Sequence, residues 1–198
     1  MKNLKEQVQT VVSIFKSGNL SKAEEETKKL IDENPKIAFL YNLLGLISAE
    51  QKKIDLAEKY YEKGLSIDPK FAIIYNNLGL LYYRKKKSDK NIKKAEDLYK
   101  KSISIDKKNP EPYSNLGILY NSINKNEESI KFHKQAIKIN PKFFFAYHNL
   151  ANIYVSIGEF DKAKYYLNEA IKINPKLLVA HRLLSRITKY NKDEKHLN

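Results

Sequence analysis

The chain has 198 residues, 42% of them hydrophobic, with 14 Tyr, 8 Phe and only 6 Gly and 6 Pro, a composition that excludes disorder along most of its length. It has no Cys, which excludes a disulfide framework, a thiolate nucleophile and a Cys-ligated zinc site. The formal net charge of +14 comes almost wholly from lysine, since Arg84, Arg182 and Arg186 are the only arginines; lysine in company with Asn, Ile, Tyr and Phe is what A/T-rich codons supply, so the charge alone does not assign a polyanion as ligand.

The first segment, Met1 to Lys5, runs into Val8, Val11, Val12, Ile14 and Phe15, spaced for an amphipathic helix and too interrupted for a signal peptide. No stretch is apolar for long enough to cross a bilayer, and the expected location is cytoplasmic. From there the chain repeats. Tyr41, Tyr75, Tyr113 and Tyr147 are separated by 34, 38 and 34 residues, and Gly45, Gly79, Gly117 and Ala151 keep the same intervals. Ala23, Ala57, Ala95, Ser129 and Ala163 step by 34, 38, 34 and 34, and Pro35, Pro69, Pro141 and Pro175 follow four of these alanine-type markers. In the third copy Lys107 stands where the proline would be.

Two helices per copy are expected. In the first, helix A, Tyr75, Leu78, Gly79 and Tyr82 fall at i, i+3, i+4 and i+7. In the second, helix B, Ala57, Tyr61, Gly64 and Leu65 make another stripe. Ser21 with Glu24 reads as a capping box at the start of a helix B, Asp55 with Glu58 as its acidic form, and Asp161 as the same cap in a later copy. The prolines are expected to end each helix B, because a proline disfavours helix in the residue before it.

On these residues the chain resembles the tetratricopeptide repeat family, whose 34-residue unit is a helix-turn-helix. Residues 38–71, 110–143 and 144–177 carry its markers in one register, residues 4–37 form a degenerate first copy, and residues 72–109 form a copy with four extra residues between its helices. Residues 178–190 supply an unpaired last helix A with His181, Leu184 and Ser185 at marker positions, and residues 191–198 a charged tail expected to fray. The resemblance implies an all-α, right-handed superhelical solenoid of antiparallel helix pairs, about five repeats plus a capping helix, forming a single array over residues 1–190. It also implies a concave groove lined by the A helices that binds a protein or peptide partner.

If residue 38 is taken as position 1 of its copy, the A-helix positions not used for packing are 2, 5, 6 and 9. Position 2 holds Phe39, Ile73, Glu111, Phe145 and Val179. From the rest, Asn42, Asn76, Asn77, Leu80, Asn115, Ile118, His148, Asn149, Asn152, Arg182 and Arg186 are the candidate groove residues. Asn77, Asn115 and Asn149 form a row at position 6, and an amide side chain both donates and accepts, so such a row can pair with a peptide main chain. It resembles the asparagine ladder in the recognition arm of O-linked N-acetylglucosamine transferases, which raises a further alternative, an arm serving a separate transferase chain. Equally, asparagine there suits a bridge between neighbouring helices. The two-carboxylate clamp of chaperone-binding relatives is not expected, because its lysine and arginine positions are unfilled around Asn115 and Asn149. His148, Asn152, Arg182 and Arg186 can gather at one end of the groove, where guanidinium groups suit a carboxylate or phosphate.

The insertion carries Arg84, Lys85, Lys86, Lys87, Lys90, Lys93 and Lys94 against Asp89. It is expected to be a basic loop, either solvated or, alternatively, a contact for nucleic acid or another polyanion. Interleaved aromatics for base stacking are missing from it. No glycine-rich phosphate loop, HExxH, serine nucleophile elbow or Cys-His pair occurs, so an enzyme is not expected, and neither is a cofactor. Glu24, Glu25 and Glu26 suit a helix dipole. His133 and His181 fall on packing positions and His196 in the tail, so no metal site is expected.

Overall fold

A computed structural model of the chain describes residues 3–85 and 88–194, with side chains as far as residue 189. The described residues form eleven α-helices: α1 (Leu4–Lys16), α2 (Leu20–Glu33), α3 (Ala38–Glu50), α4 (Ile54–Ile67), α5 (Ala72–Arg84), α6 (Asp89–Ile105), α7 (Glu111–Ser122), α8 (Asn126–Ile139), α9 (Phe144–Ser156), α10 (Phe160–Ile173) and α11 (Leu178–Glu194). They gather into two compact units, Met1–Asp106 and Lys107–Asn198. In the first, α1 pairs with α2, α3 with α4 and α5 with α6; in the second, α7 pairs with α8 and α9 with α10, and α11 closes the unit by packing on α10.

The pairs are built on a crossing of one small and one large residue. A β-carbon placed on Gly79 would stand 2.7 Å from the Tyr99 ring, and one on Gly117 would stand 2.6 Å from His133 Nε2. Gly45 meets Tyr61 in the same way. In α9 the small residue grows to Ala151 and its counterpart shrinks to Leu167, both fully buried in one cluster. The same exchange goes further in the first pair, where Val11 and buried Thr27 occupy the two positions. A close-packed interior tolerates these swaps because the summed volume is kept. Ala23, Ala57, Ala95, Ser129 and Ala163, the repeat markers of helix B, are all completely buried.

The buried stripe of helix A is broader than its sequence markers. Position 3 (Leu40, Ile74, Pro112, Ala146, Ala180) and position 10 (Ile47, Leu81, Leu119, Ile153, Ile187) are buried in every copy from the second onward. Neither position is a repeat marker, because a helix sandwiched between two neighbours buries two stripes and blurs the single periodicity. The position-4 side chain has a further task. Tyr41, Tyr75 and Tyr147 donate their hydroxyls to the carbonyls of Pro35, Pro69 and Pro141 at 3.2, 3.1 and 3.1 Å. Tyr113 reaches Lys107 O at 3.4 Å, and the His181 ring reaches Pro175 O at 2.9 Å. Each ties a helix A to the turn before it.

The turns correct two expectations. Helix B begins earlier than the capping boxes imply: the N-caps of α2, α4 and α10 are Asn19, Lys53 and Glu159, so Ser21, Asp55 and Asp161 lie inside the first turn. The start is set by the end of helix A. Lys52 and Asn124 have φ of 63° and 61°, Gly18 and Gly158 have 83° and 81°, and the next amide reaches back to Ser48 O, Tyr120 O and Tyr154 O at 2.9, 2.9 and 2.8 Å in the second, fourth and fifth copies. That left-handed stop at the end of helix A leaves no room for the proposed caps. At the other end, α6 stops at Ile105 without any proline. What the B helices share is Asn or Asp at the C-cap: Asn34, Asp68, Asp106, Asn140 and Asn174. Asp68, Asn140 and Asn174 accept from the amide two residues on at 2.9, 3.0 and 3.2 Å, an Asx turn that ends the helix by itself.

Two further boundaries differ. The insertion 84–94 is mostly helical: Arg84 ends α5, Ser88 caps α6 by accepting from Asn91 N at 3.2 Å, and Lys90, Lys93 and Lys94 stand on α6, which is 17 residues long where α4, α8 and α10 are 14. Lys86 and Lys87 lie outside the described residues. The last helix passes residue 190 to Glu194, so half of the expected tail is helix, and His196 with the rest of it lies outside the described residues.

Candidate functional site

Once the packing stripes are assigned, the A helices of each unit keep an exposed strip. Position 2 is its apolar part except for exposed Glu111: Phe39 and Ile73 in the first unit are 37% and 42% exposed, and Phe145 and Val179 in the second are 54% and 51%. Position 9, two turns further along, adds half-buried Leu46, Leu80 and Ile118, then exposed Asn152 and Arg186. The sequence had placed position 2 off the core without singling it out as a site. Its signal was there, since an apolar residue recurring where packing does not use it needs another explanation.

The asparagines divide. Asn42 and Asn76, expected in the groove, are only 3% exposed each. Asn77 Nδ2 donates to Asn42 Oδ1 at 2.9 Å, and Asn149 Nδ2 reaches Ser114 Oγ at 3.5 Å, so position 6 of one copy bridges to position 5 of the copy before it. This is the bridging alternative, and the burial of Asn42 and Asn76 corrects their assignment to the groove: a buried amide needs a partner, and for Asn42 the next helix A supplies it. Asn77, Asn115 and Asn149 stay half-buried at the edge of the strip. In the first unit Asn77, Leu80, Leu46 and Arg84 line a small depression of about 70 Å³.

The basic segment is largely neutralised from within. Arg84 pairs with Glu50 at 3.6 Å, Lys85 with Glu58 at 2.5 Å, and Lys93 with Asp97 at 3.2 Å. Lys94 lies 3.7 Å from Glu58 and also bonds the Tyr82 hydroxyl, which itself bonds Glu58. Lys85 and Lys94 sit over the Tyr82 ring at 4.7 and 4.1 Å, so the aromatic and its two cations form a clasp between α4, α5 and α6.

In the second unit, His148, Asn152, Arg182 and Arg186 come together with Val179 and Leu183 around an open depression of about 380 Å³. Asn152 Nδ2 lies 3.3 Å from His148 Nδ1. Burial pushes the His148 imidazole below its ordinary value, a bond with Asn149 opposing the shift, so at neutral pH the charge there belongs to the two guanidiniums. Among the described residues neither arginine has an ion-pair partner, in contrast to Arg84.

No described group of three His, Asp or Glu side chains is placed to hold a metal. Glu24, Glu25 and Glu26 of α2 are held in ion pairs: Glu24 with Lys28 at 2.6 Å and Lys53 at 3.2 Å, Glu25 and Glu26 with Lys29 at 2.7 and 2.9 Å. The Lys28 bond, helped by Gln51, holds Glu24 down to about 2, far from a value useful for proton transfer. Among the described residues no helix is long and apolar enough to cross a membrane.

Comparison with known proteins agrees with this geometry. The family description "Tetratricopeptide repeat" matches residues 144–177 and 98–131, and "TPR repeat" matches residues 45–86. No curated protein matches the chain. Among solved structures, a thermophilic TPR protein of Thermus thermophilus is similar with a TM-score of 0.81 at 17% identity, over 93% of this chain and 98% of that one. PilF of Pseudomonas aeruginosa is similar with a TM-score of 0.78 at 18% identity, over 96% and 85%. YrrB, described as a TPR protein with an unusual peptide-binding site, gives 0.59 at 16% identity, over 89% of each chain. Helix pairs built alike in both units, a small residue against a large one at each crossing and family matches in three separate stretches have one explanation: the chain belongs to the tetratricopeptide repeat family.

Proposed function

We propose that the protein is a non-catalytic interaction scaffold whose A-helix faces bind an extended peptide segment of a partner protein. The observation that carries this reading is the apolar strip at position 2, with Phe39 and Ile73 exposed in one unit and Phe145 and Val179 in the other. Four large apolar side chains held in water at the same repeat position cost free energy unless a ligand covers them. Half-buried Asn77 and Asn149 stand one turn away, and each amide that bridges to the previous helix still carries a carbonyl oxygen able to accept from a peptide N–H. YrrB, a fold relative described as having a peptide-binding site, supports the class of ligand. The ion pairs on Arg84, Lys85, Lys93 and Lys94 weigh against a polyanion as the main ligand.

The asparagines are poor probes of this function. Truncating Asn77 would leave buried Asn42 without its partner and cost about 1 to 3 kcal/mol of stability, whatever happened to binding. The exposed strip is the better target. Ten-residue peptides selected from a display library should bind at least tenfold more weakly to a variant carrying Phe39→Ser, Ile73→Ser, Phe145→Ser and Val179→Ser, with the far-ultraviolet circular dichroism unchanged. Undiminished affinity in that variant overturns the reading.

A further inference from the structure

The second unit carries a feature that the first does not. We propose that the depression lined by α9 and α11 is a carboxylate site, in which Arg182 and Arg186 receive a carboxylate carried by the bound peptide while Asn152 and His148 flank it. This rests on the peptide reading above and names the chemistry at one place along the strip.

Four observations point to it. Arg182 and Arg186 are four residues apart on α11, so they project from the same side, one turn above the other. Both are exposed and, among the described residues, unpaired, although carboxylates elsewhere in the chain capture Arg84 and many lysines. Two guanidiniums left facing one depression form a fork-shaped donor set that matches the two oxygens of a carboxylate. The depression also has an apolar side: Leu183 is buried at 7% exposure beneath it and Val179 stands at its margin. It can thus cover the aliphatic stem of the residue that bears the charge. Its size, about 380 Å³, lies at the lower end of the range for small-ligand sites and fits one residue with its carboxylate. A nucleic acid would need a track of unpaired cations along a backbone, and the described cations of the basic segment are mostly committed to ion pairs.

The test uses a convenience of the sequence. With arginine only at residues 84, 182 and 186, the guanidinium Nε–Hε spectrum of the labelled protein has three signals, each assigned by its Arg→Lys variant. Four probes are titrated: acetyl-Ala-Leu-Ala-Leu with a free carboxylate, the same peptide as its C-terminal amide, the amide ending in Asp instead of Leu, and inorganic phosphate. The expected result is a saturable shift of the Arg182 and Arg186 signals with a carboxylate-bearing peptide, no shift of Arg84, and at least tenfold weaker binding of the uncharged amide. Arg182→Gln with Arg186→Gln, both at exposed positions, should reduce the acid peptides to the level of the amide. Response to the free acid alone assigns a chain terminus; response to the Asp peptide as well assigns an acidic side chain.

Equal affinity for acid and amide, or a phosphate response as strong as that of the peptides, overturns the proposal. If acid and amide bind alike and the position-2 variants weaken both, the carboxylate site falls and the peptide-binding strip stands. If the acid peptides move the two arginine signals but the position-2 variants change nothing, the strip falls and the site stands. Silence from every probe overturns both.

Discussion

The helix crossings of the two units fill the same space with different chemistry. In the first unit Gly45 and Gly79 accept the phenol rings of Tyr61 and Tyr99, whose burial raises their hydroxyls far above any working pH. In the second unit Gly117 accepts an imidazole, His133, and Ala151 accepts Leu167. The crossing therefore demands a volume, and leaves the unit free to meet it with a group that titrates or one that does not. His133 is almost fully buried, and its described polar contact is Ser114 Oγ at 3.3 Å. Its burial lowers it from 6.5 to about 4.

That difference predicts an acid-sensitive second unit. Well above pH 6.5 His133 is neutral folded or unfolded and contributes no pH dependence. As pH falls from 6.5 towards about 4, the unfolded chain takes up the proton and the folded one does not, so stability is lost through that window. The full loss is about 3 kcal/mol, from a shift of that size at 1.36 kcal/mol per unit. Thermal unfolding at pH 7 and pH 4.5 should show it, and His133→Tyr, which copies the first unit, should flatten the histidine part of the acid dependence. An equal pH dependence in that variant would remove the buried imidazole as its cause.

A smaller effect is expected from moving one unit's solution into the other. Gly79→Ala drives a methyl group into Tyr99 and should cost about 2 kcal/mol, the overpacking penalty less the gain in helix propensity. Adding Tyr99→Leu reproduces the Ala151 and Leu167 pair and should recover at least half of the loss in urea unfolding. No recovery would mean that the two crossings are not interchangeable. The smallest change concerns the turn between helices. Lys52 occupies the left-handed conformation that Gly158 adopts in the other unit, so Lys52→Gly should stabilise by about 1 kcal/mol, seen as a higher unfolding midpoint.

Much of this was legible in the chain itself. The spacing of Tyr75, Gly79 and Ala95 and their copies identified the repeat and the two helices in it, because the repeat markers are residues whose size the crossing dictates, and the family resemblance they carry implied the antiparallel pairing. The gathering of His148, Asn152, Arg182 and Arg186 also followed from position numbers, since they stand at positions 5 and 9 of successive A helices. Less visible were Asn42 and Asn76. In the sequence they stand among the groove positions, and only the tertiary structure shows them buried, Asn42 with its partner Asn77 on the next helix A. The caps were misplaced for a similar reason. Ser21, Asp55 and Asp161 are suitable cap residues, but the turn closing the preceding helix had already set the start.

What the sequence determined by itself, then, was everything enforced by size and period: the family, the helix pairs and the small residues at which they cross. The tertiary structure decided how each polar group is used. Arg84 and Arg182 are the same residue type on A helices, yet one is spent on Glu50 and the other is left open over a depression. Packing volume is a local property that recurs with the repeat, whereas the pairing of a charge or an amide depends on which side chain another helix brings within about 3 to 4 Å. That choice separates the tyrosines and small residues of the A helices, fixed by the core, from the arginines and exposed apolar side chains that remain for a partner.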